Sequence, residues 1–326
     1  RRMRLIPAPA AVHPDTASVH IDDHTNRDAE PFFGRWPWPR VAHTYLFNFL
    51  GRGPAKVVAF DVGIWENDVT THKIGESTWT GAESDAALVE AVRNTRSVVL
   101  LADATHDAVD EQVNKPTEWG DPGYRLGEGL APRPTLVPPF QALTDATAAL
   151  GHNFLPIEPD GPVRRLPPFI RVGERHVPSL GTAAALLAGG FRPNEVSVDD
   201  RSLRIRDRNV PLVPTRVLDP ENRNTSHEQL SMMIRWRAPA DVTSYPTYSA
   251  RFLIEAENVL LGGGKPELDP GVFRDKIVFI GVTAAGTHDV FQTSFGSGGM
   301  PGAQLHATMA DNLLSGSFIG RAPGWT

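Results

Sequence analysis

Cysteine is missing from all 326 residues, which excludes disulfides, zinc-thiolate centres and thiol nucleophiles and suits an oxidising compartment, where a stray thiol is a liability. Long apolar runs are missing too. The longest, Thr182 to Phe191, is interrupted by Gly189 and Gly190 and falls far short of the roughly 20 residues that cross a bilayer. Neither sign of charge dominates: 32 Lys and Arg stand against 38 Asp and Glu, a net charge of -6 with both signs scattered, so no nucleic-acid partner is expected. The basic start Arg1-Arg2-Met3-Arg4 leads into proline-rich sequence without the apolar stretch of a signal peptide. Catalytic signatures are lacking as well. There is no Gly-x-Ser-x-Gly elbow and no His-Glu-x-x-His helix, and Gly262-Gly263-Gly264-Lys265 follows a helical pattern instead of a strand, without the spacing of a phosphate-binding loop.

What is present is a 40% hydrophobic chain long enough to bury a full core. Val19 to Ile21, Val57 to Phe60 and Val98 to Leu101 are short apolar runs of the kind expected for buried strands. Between them, Val41, Tyr45, Leu46 and Phe49, and then Leu88, Ala91 and Val92, recur at helical spacing, the second helix capped by Ser84. This alternation predicts an α/β fold with a mainly parallel central sheet covered by helices. Thr105 to Pro139 reads as an insertion with little regular structure, and Phe140 to Leu150 as a helix closed by Gly151. From Gly151 to Pro239 short extended pieces and tight turns predict an antiparallel, hairpin-rich subregion, with one helix from Pro178 to Ala188. A helix opened by Ser249, a last apolar strand from Lys276 to Gly281 and a helix from Pro301 to Gly316 close the pattern.

These blocks resemble the second type of CHASE domain, CHASE2. The resemblance rests on Ile21-Asp22-Asp23 with Arg35-Trp36-Pro37-Trp38-Pro39-Arg40, on Val57 to Asp61, and on Gly151-His152 with Pro159 to Arg165. The block from Lys276 to Gly281 through Met300-Pro301-Gly302 to His306 and Asp311 to Gly316 is the most telling. It runs from about Val19 to Ile319; Gly63-Ile64-Trp65, Arg235 to Ala238 and the insertion before Pro139 depart from it. The resemblance implies a bacterial extracytoplasmic sensory domain held in the cell membrane by flanking transmembrane helices. It also implies that a small-molecule or protein stimulus regulates a cytoplasmic adenylate or guanylate cyclase, histidine kinase or Ser/Thr kinase. The expected division is a membrane-proximal segment over 1–18, one sensory domain over 19–319 and a membrane-proximal tail over 320–326, where Trp325 suits a membrane interface. A homodimer is expected because such outputs work as pairs, and no enzyme activity is expected of this chain itself. A metal-dependent hydrolase and a structural dimerisation spacer are the competing readings.

Asp22, Asp61 and Asp103 each follow an apolar strand, where open α/β sheets gather ligands. If the strands are neighbours, Asp22 and Asp61 need a cation, a basic partner or a shared proton between them. Thr283, His288, Asp289 and His306 are placed to join them, giving Asp22, Asp61, Asp289 and His306 as the candidate ligands of a divalent cation, or of a polar small molecule. Asp23 completes the acidic set. Trp36 and Trp38, set among prolines, offer a rigid aromatic wall. Arg40, in a first helical turn where a cation opposes the helix dipole, is expected to pair with Asp22 or Asp61.

Overall fold

A computed structural model of the protein describes residues 13–105, 118–156, 158, 160–199, 201–218, 226–237, 244–287, 289–294 and 299–320. The basic start, the candidate His288 and the Trp325 tail lie outside the described residues.

Six parallel strands form the central sheet: β1 (Thr16–Ile21), β2 (Val57–Asp61), β3 (Val98–Ala102), β4 (Ala149–His152), β5 (Thr247–Ser249) and β6 (Ile277–Val282), in the order β5-β1-β6-β2-β3-β4. The last long strand is thus inserted between the first two, Val19 lying opposite Ile280 and Ile280 opposite Phe60. Every residue of β6 is buried, as its unbroken apolar sequence requires of a strand covered on both faces. Alternate side chains feed two cores. Val58, Phe60, Leu100, Val278 and Ile280 pack on one face with α1 (Asp23–Phe33), α2 (Arg40–Arg52), α3 (Gly81–Thr95) and α5 (Ala250–Leu261). Val57, Ala59, Val99, Leu101 and Phe279 pack on the other with α4 (Leu180–Gly189) and α6 (Gly302–Ser315). The hairpin-rich region joins this second core through Leu203, Val210 and Met232 of a five-stranded antiparallel sheet.

Several elements differ from the sequence reading for physical reasons. The stretch after Asp22 is the helix α1, which buries only Thr25, Ala29 and Phe33; this narrow stripe and the internal Pro31 hide its period. Helix α3 begins at Gly81 behind a Thr80–Glu83 capping box, while Ser84 Oγ accepts a hydrogen bond from Val41 N of α2. Phe140 to Leu150 is not one helix: Gln141–Thr144 makes a single turn, and Leu150 and Gly151 belong to β4. There a Cβ on Gly151 would lie 2.4 Å from Leu180 Cα, so the glycine serves close packing against α4 and not a helix end. The edge strand β5, three residues long, carries too little pattern to read.

Helix α6 runs antiparallel to the sheet, from the carboxyl ends of the strands to their amino ends, and at its far end it is heavily tied. Asp311 and Arg237 form an ion pair with both side chains withdrawn from solvent, 0% and 1% exposed. Asp311 Oδ1 also accepts from the backbone of His13, ahead of β1. Arg237 Nη2 donates to Ser315 Oγ at 2.9 Å, and Arg235 N to Asn312 Oδ1 at 2.7 Å. Arg208 donates to the last carbonyls of the helix, Leu313 and Leu314, where a cation also suits the helix dipole.

Candidate functional site

Beyond their carboxyl ends, the adjacent strands β2 and β6 send the chain to opposite faces, one toward α3 and the other into α6. Divergence of this kind opens a crevice in a parallel sheet. A cavity of about 640 Å³ lies there, bordered by Trp36, Trp38, Arg40 and His43, by Asp61 to Trp65, by Thr105 and Asn153, and by Thr287, Asp289, Gly302 and His306. Six of the sequence candidates are therefore gathered at one place: Trp36, Trp38, Arg40, Asp61, Asp289 and His306.

Asp61 is the last residue of β2. Its Oδ2 is shielded from solvent and has no hydrogen-bond partner. Burial first, and the neighbouring Asp289 second, push its carboxyl well above the usual range. Asp289 precedes the short strand Val290–Gln292, whose pairing with Gly299–Pro301 delivers it to the amino end of α6. A Cβ on Gly302 would lie 2.4 Å from Asp289 Oδ1, so the absence of a side chain at Gly302 is what admits the carboxylate. Burial pushes Asp289 up to about 6, against a lowering hydrogen bond from the Gly302 backbone. Like charges this close resist joint ionisation, and among the described residues no Lys or Arg forms an ion pair with either acid.

Two imidazoles face the acids' surroundings. His306, on α6, is 4% exposed and His43, on α2, is 2% exposed. Burial lowers His306 to about 4, and burial together with Arg40 lowers His43 to about 3, so both rings are neutral. The Nδ1 atom of each lacks a hydrogen-bond partner. Trp36 and Trp38 meet edge to face at 5.2 Å and both stand 5.8 Å from His43, a compact aromatic wall.

Arg40 pairs with neither Asp22 nor Asp61. Its Nε lies 3.9 Å from Asp85 Oδ1 and its Nη2 donates to Glu66 O at 3.4 Å. Asp85 in turn accepts from Asn67 Nδ2 and Asp68 N, each at 2.9 Å, so the pair fastens the loop after β2. Asp22 is also elsewhere. Strand β6 separates β1 from β2, which sets their ends about 10 Å apart. Asp22 caps α1, its Oδ1 accepting from Thr25 N and Thr25 Oγ1 at 2.7 Å and from Ser249 Oγ at 3.0 Å. Burial raises its pKa, but those bonds outweigh burial and hold it below the usual range. Asp23 Oδ1 accepts from Ala285 N, and Thr283 N donates to Ile21 O, so both join the loop after β6 to the end of β1 and neither borders the cavity. Asp103 turns its own loop by accepting from Thr105 N. Among the described residues, no three His, Asp or Glu side chains are grouped to hold a metal ion.

His43, Trp65 and Asn153 border the cavity and were not read from the sequence. His43 sits one helical turn after Arg40, a spacing that puts both on one face of α2; that was the available signal. Trp65 stood out only as a departure from the family pattern.

Among the described residues no helix is long and apolar enough to cross a membrane. A family profile described as the CHASE2 domain matches residues 1–326, the whole chain. No curated protein and no solved structure matches it.

Proposed function

The chain belongs to the CHASE2 family, a family of extracytoplasmic sensory domains, and from that premise we propose that the cavity at the β2–β6 divergence is the stimulus site and α6 the element that carries its state away. The observation behind this reading is the position of α6. Its first turn, at Gly302 and His306, borders the cavity. Its last turns, from Asp311 to Ser315, hold His13 and Arg237. Fourteen residues at 1.5 Å each make a rod of roughly 21 Å between the cavity and the segment that leads into β1. Met233 and Ile319 bridge at that same end, so the described residues ahead of β1 and after α6 lie at one end of the domain, which supports a sensor suspended between flanking membrane helices. A bound molecule that favours one position of α6 would alter the spacing of those helices and, through them, a cytoplasmic cyclase or kinase; a signal of this kind requires different affinity for two states.

The test is backbone hydrogen exchange on the protein with and without a compound that raises its melting temperature in a small-molecule screen. The expected result is slower exchange at both ends of α6 and around His13. Protection confined to the cavity wall, with the His13 and Ser315 region unchanged, would leave α6 without a relay role.

A further inference from the structure

Resting on the reading of this cavity as the stimulus site, we propose that it takes a small protonated amine with an apolar body, its N–H groups on Asp61 and Asp289 and its body against Trp36 and Trp38. The charge balance of the cavity points this way. Its guanidinium, Arg40, already has Asp85 as a counter-ion, whereas Asp61 and Asp289 have no Lys or Arg among the described residues. A ligand that supplies one positive charge completes the set, and a carboxylate on that ligand would meet two acids of its own sign.

Among the cavity atoms without hydrogen-bond partners are the acceptor Asp61 Oδ2, the Nδ1 atoms of His43 and His306, and two donors, Trp38 Nε1 and Arg40 Nε. Both rings are neutral, and a neutral imidazole keeps one nitrogen that accepts; on the side of the two acids, Asp61 Oδ2 calls for a ligand that donates. Buried side chains left in this state are uncommon in finished cores. An ammonium with N–H groups answers Asp61 Oδ2, whereas a quaternary ammonium brings charge without donors. Indole faces attract cations, and about 640 Å³ lies within the usual size of small-molecule pockets. A bare inorganic cation fits less well. Calcium seeks six to eight oxygen ligands, and the described residues hold no group of three His, Asp or Glu side chains for a metal.

Titration calorimetry on the whole chain at neutral pH tests this with n-hexylamine as the probe and 1-hexanol, hexyltrimethylammonium, alanine, magnesium and calcium as comparators. Hexylamine is expected to bind, and 1-hexanol and hexyltrimethylammonium to bind about ten-fold more weakly or not at all. Asp61→Asn is expected to weaken hexylamine about ten-fold while its circular dichroism stays native and its melting temperature does not fall, because the change removes an acid without a counter-ion. Asp22→Ala, which lies outside the cavity as the cap of α1, is expected to leave hexylamine affinity unchanged. Equal binding of hexanol, binding of alanine that requires Arg40, or binding of magnesium or calcium alone would each overturn the amine class while keeping the cavity as the site. Failure of every probe to bind would overturn both readings.

Discussion

The two ends of α6 hold acids in opposite circumstances. At the far end, Asp311 meets Arg237 and the backbone of His13, and the arginine continues to Ser315. At the near end, Asp61 and Asp289 share a cavity with two neutral imidazoles, and among the described residues no Lys or Arg forms an ion pair with either acid. Asp311 is fully withdrawn from solvent, while Asp61 and Asp289 are half-buried, and their partners differ: a buried charge that is paired and hydrogen-bonded belongs to the fold, and one left uncompensated raises its pKa and destabilises the folded state. Stability surrendered at one end of a helix that is firmly fixed at the other marks where the fold expects something to bind.

The largest expected effect breaks the finished end. Asp311→Ala leaves Arg237 buried without its counter-ion and should lower unfolding free energy by about 3–5 kcal/mol, measured by urea denaturation. Replacing both partners with apolar residues, Asp311→Leu with Arg237→Met, should recover most of that loss.

The unfinished end should respond in the opposite direction. Asp289→Asn removes a carboxyl whose folded value, about 6, lies above the unfolded value near 4, so above about pH 7 the variant should be more stable than the parent by on the order of 2 kcal/mol. The sign follows from proton counting. Between about pH 4 and pH 6 the folded state of the parent holds the proton more tightly than the unfolded state, so this group's penalty is lifted as pH falls and returns as pH rises through about 6. The variant's advantage should therefore shrink below about pH 6 and vanish near about pH 4. His43 and His306, lowered to about 3 and about 4, act in the reverse sense: their contribution is lost as pH falls from about 6.5 toward those values. They do so in both proteins and cancel in the difference between them.

A smaller effect sharpens the contrast between Asp61 and the other strand-end acid. Asp22→Ala removes the cap of α1 and should cost about 1 kcal/mol, read as a lowered denaturation midpoint, without changing affinity for any molecule held in the cavity. A loss of binding in this variant would mean that the cap and the cavity are one site after all.

Much of this arrangement was legible in the residues. The unbroken apolar runs at Val57 to Phe60 and Ile277 to Ile280 identify buried parallel strands, and the carboxyl-end rule carries Asp61, Asp289 and His306 to a common rim. Trp36 and Trp38 were legible because proline flanks on both sides restrict what the indoles can do. Strand order was not. An acidic residue after each strand looks alike in sequence, and only the insertion of β6 between β1 and β2 separates Asp22 from Asp61. The partner of Arg40 was equally hidden, since Asp85 reaches it from α3, an element distant in sequence. Helix α1 escaped because its buried stripe is three residues wide and its remaining positions are polar.

Asp61 and Asp289 share the cavity without a Lys or Arg counter-ion among the described residues. The direct measurement is a carbon-13 NMR titration of aspartate side-chain carboxyls in the intact protein, with Asp61→Asn and Asp289→Asn assigning the signals. Asp289 is expected to titrate near about 6 and Asp61 well above the ordinary aspartate range, with Asp289→Asn lowering the Asp61 value. Two carboxyls that titrate near about 4, with Asp61 indifferent to the loss of Asp289, would contradict this arrangement.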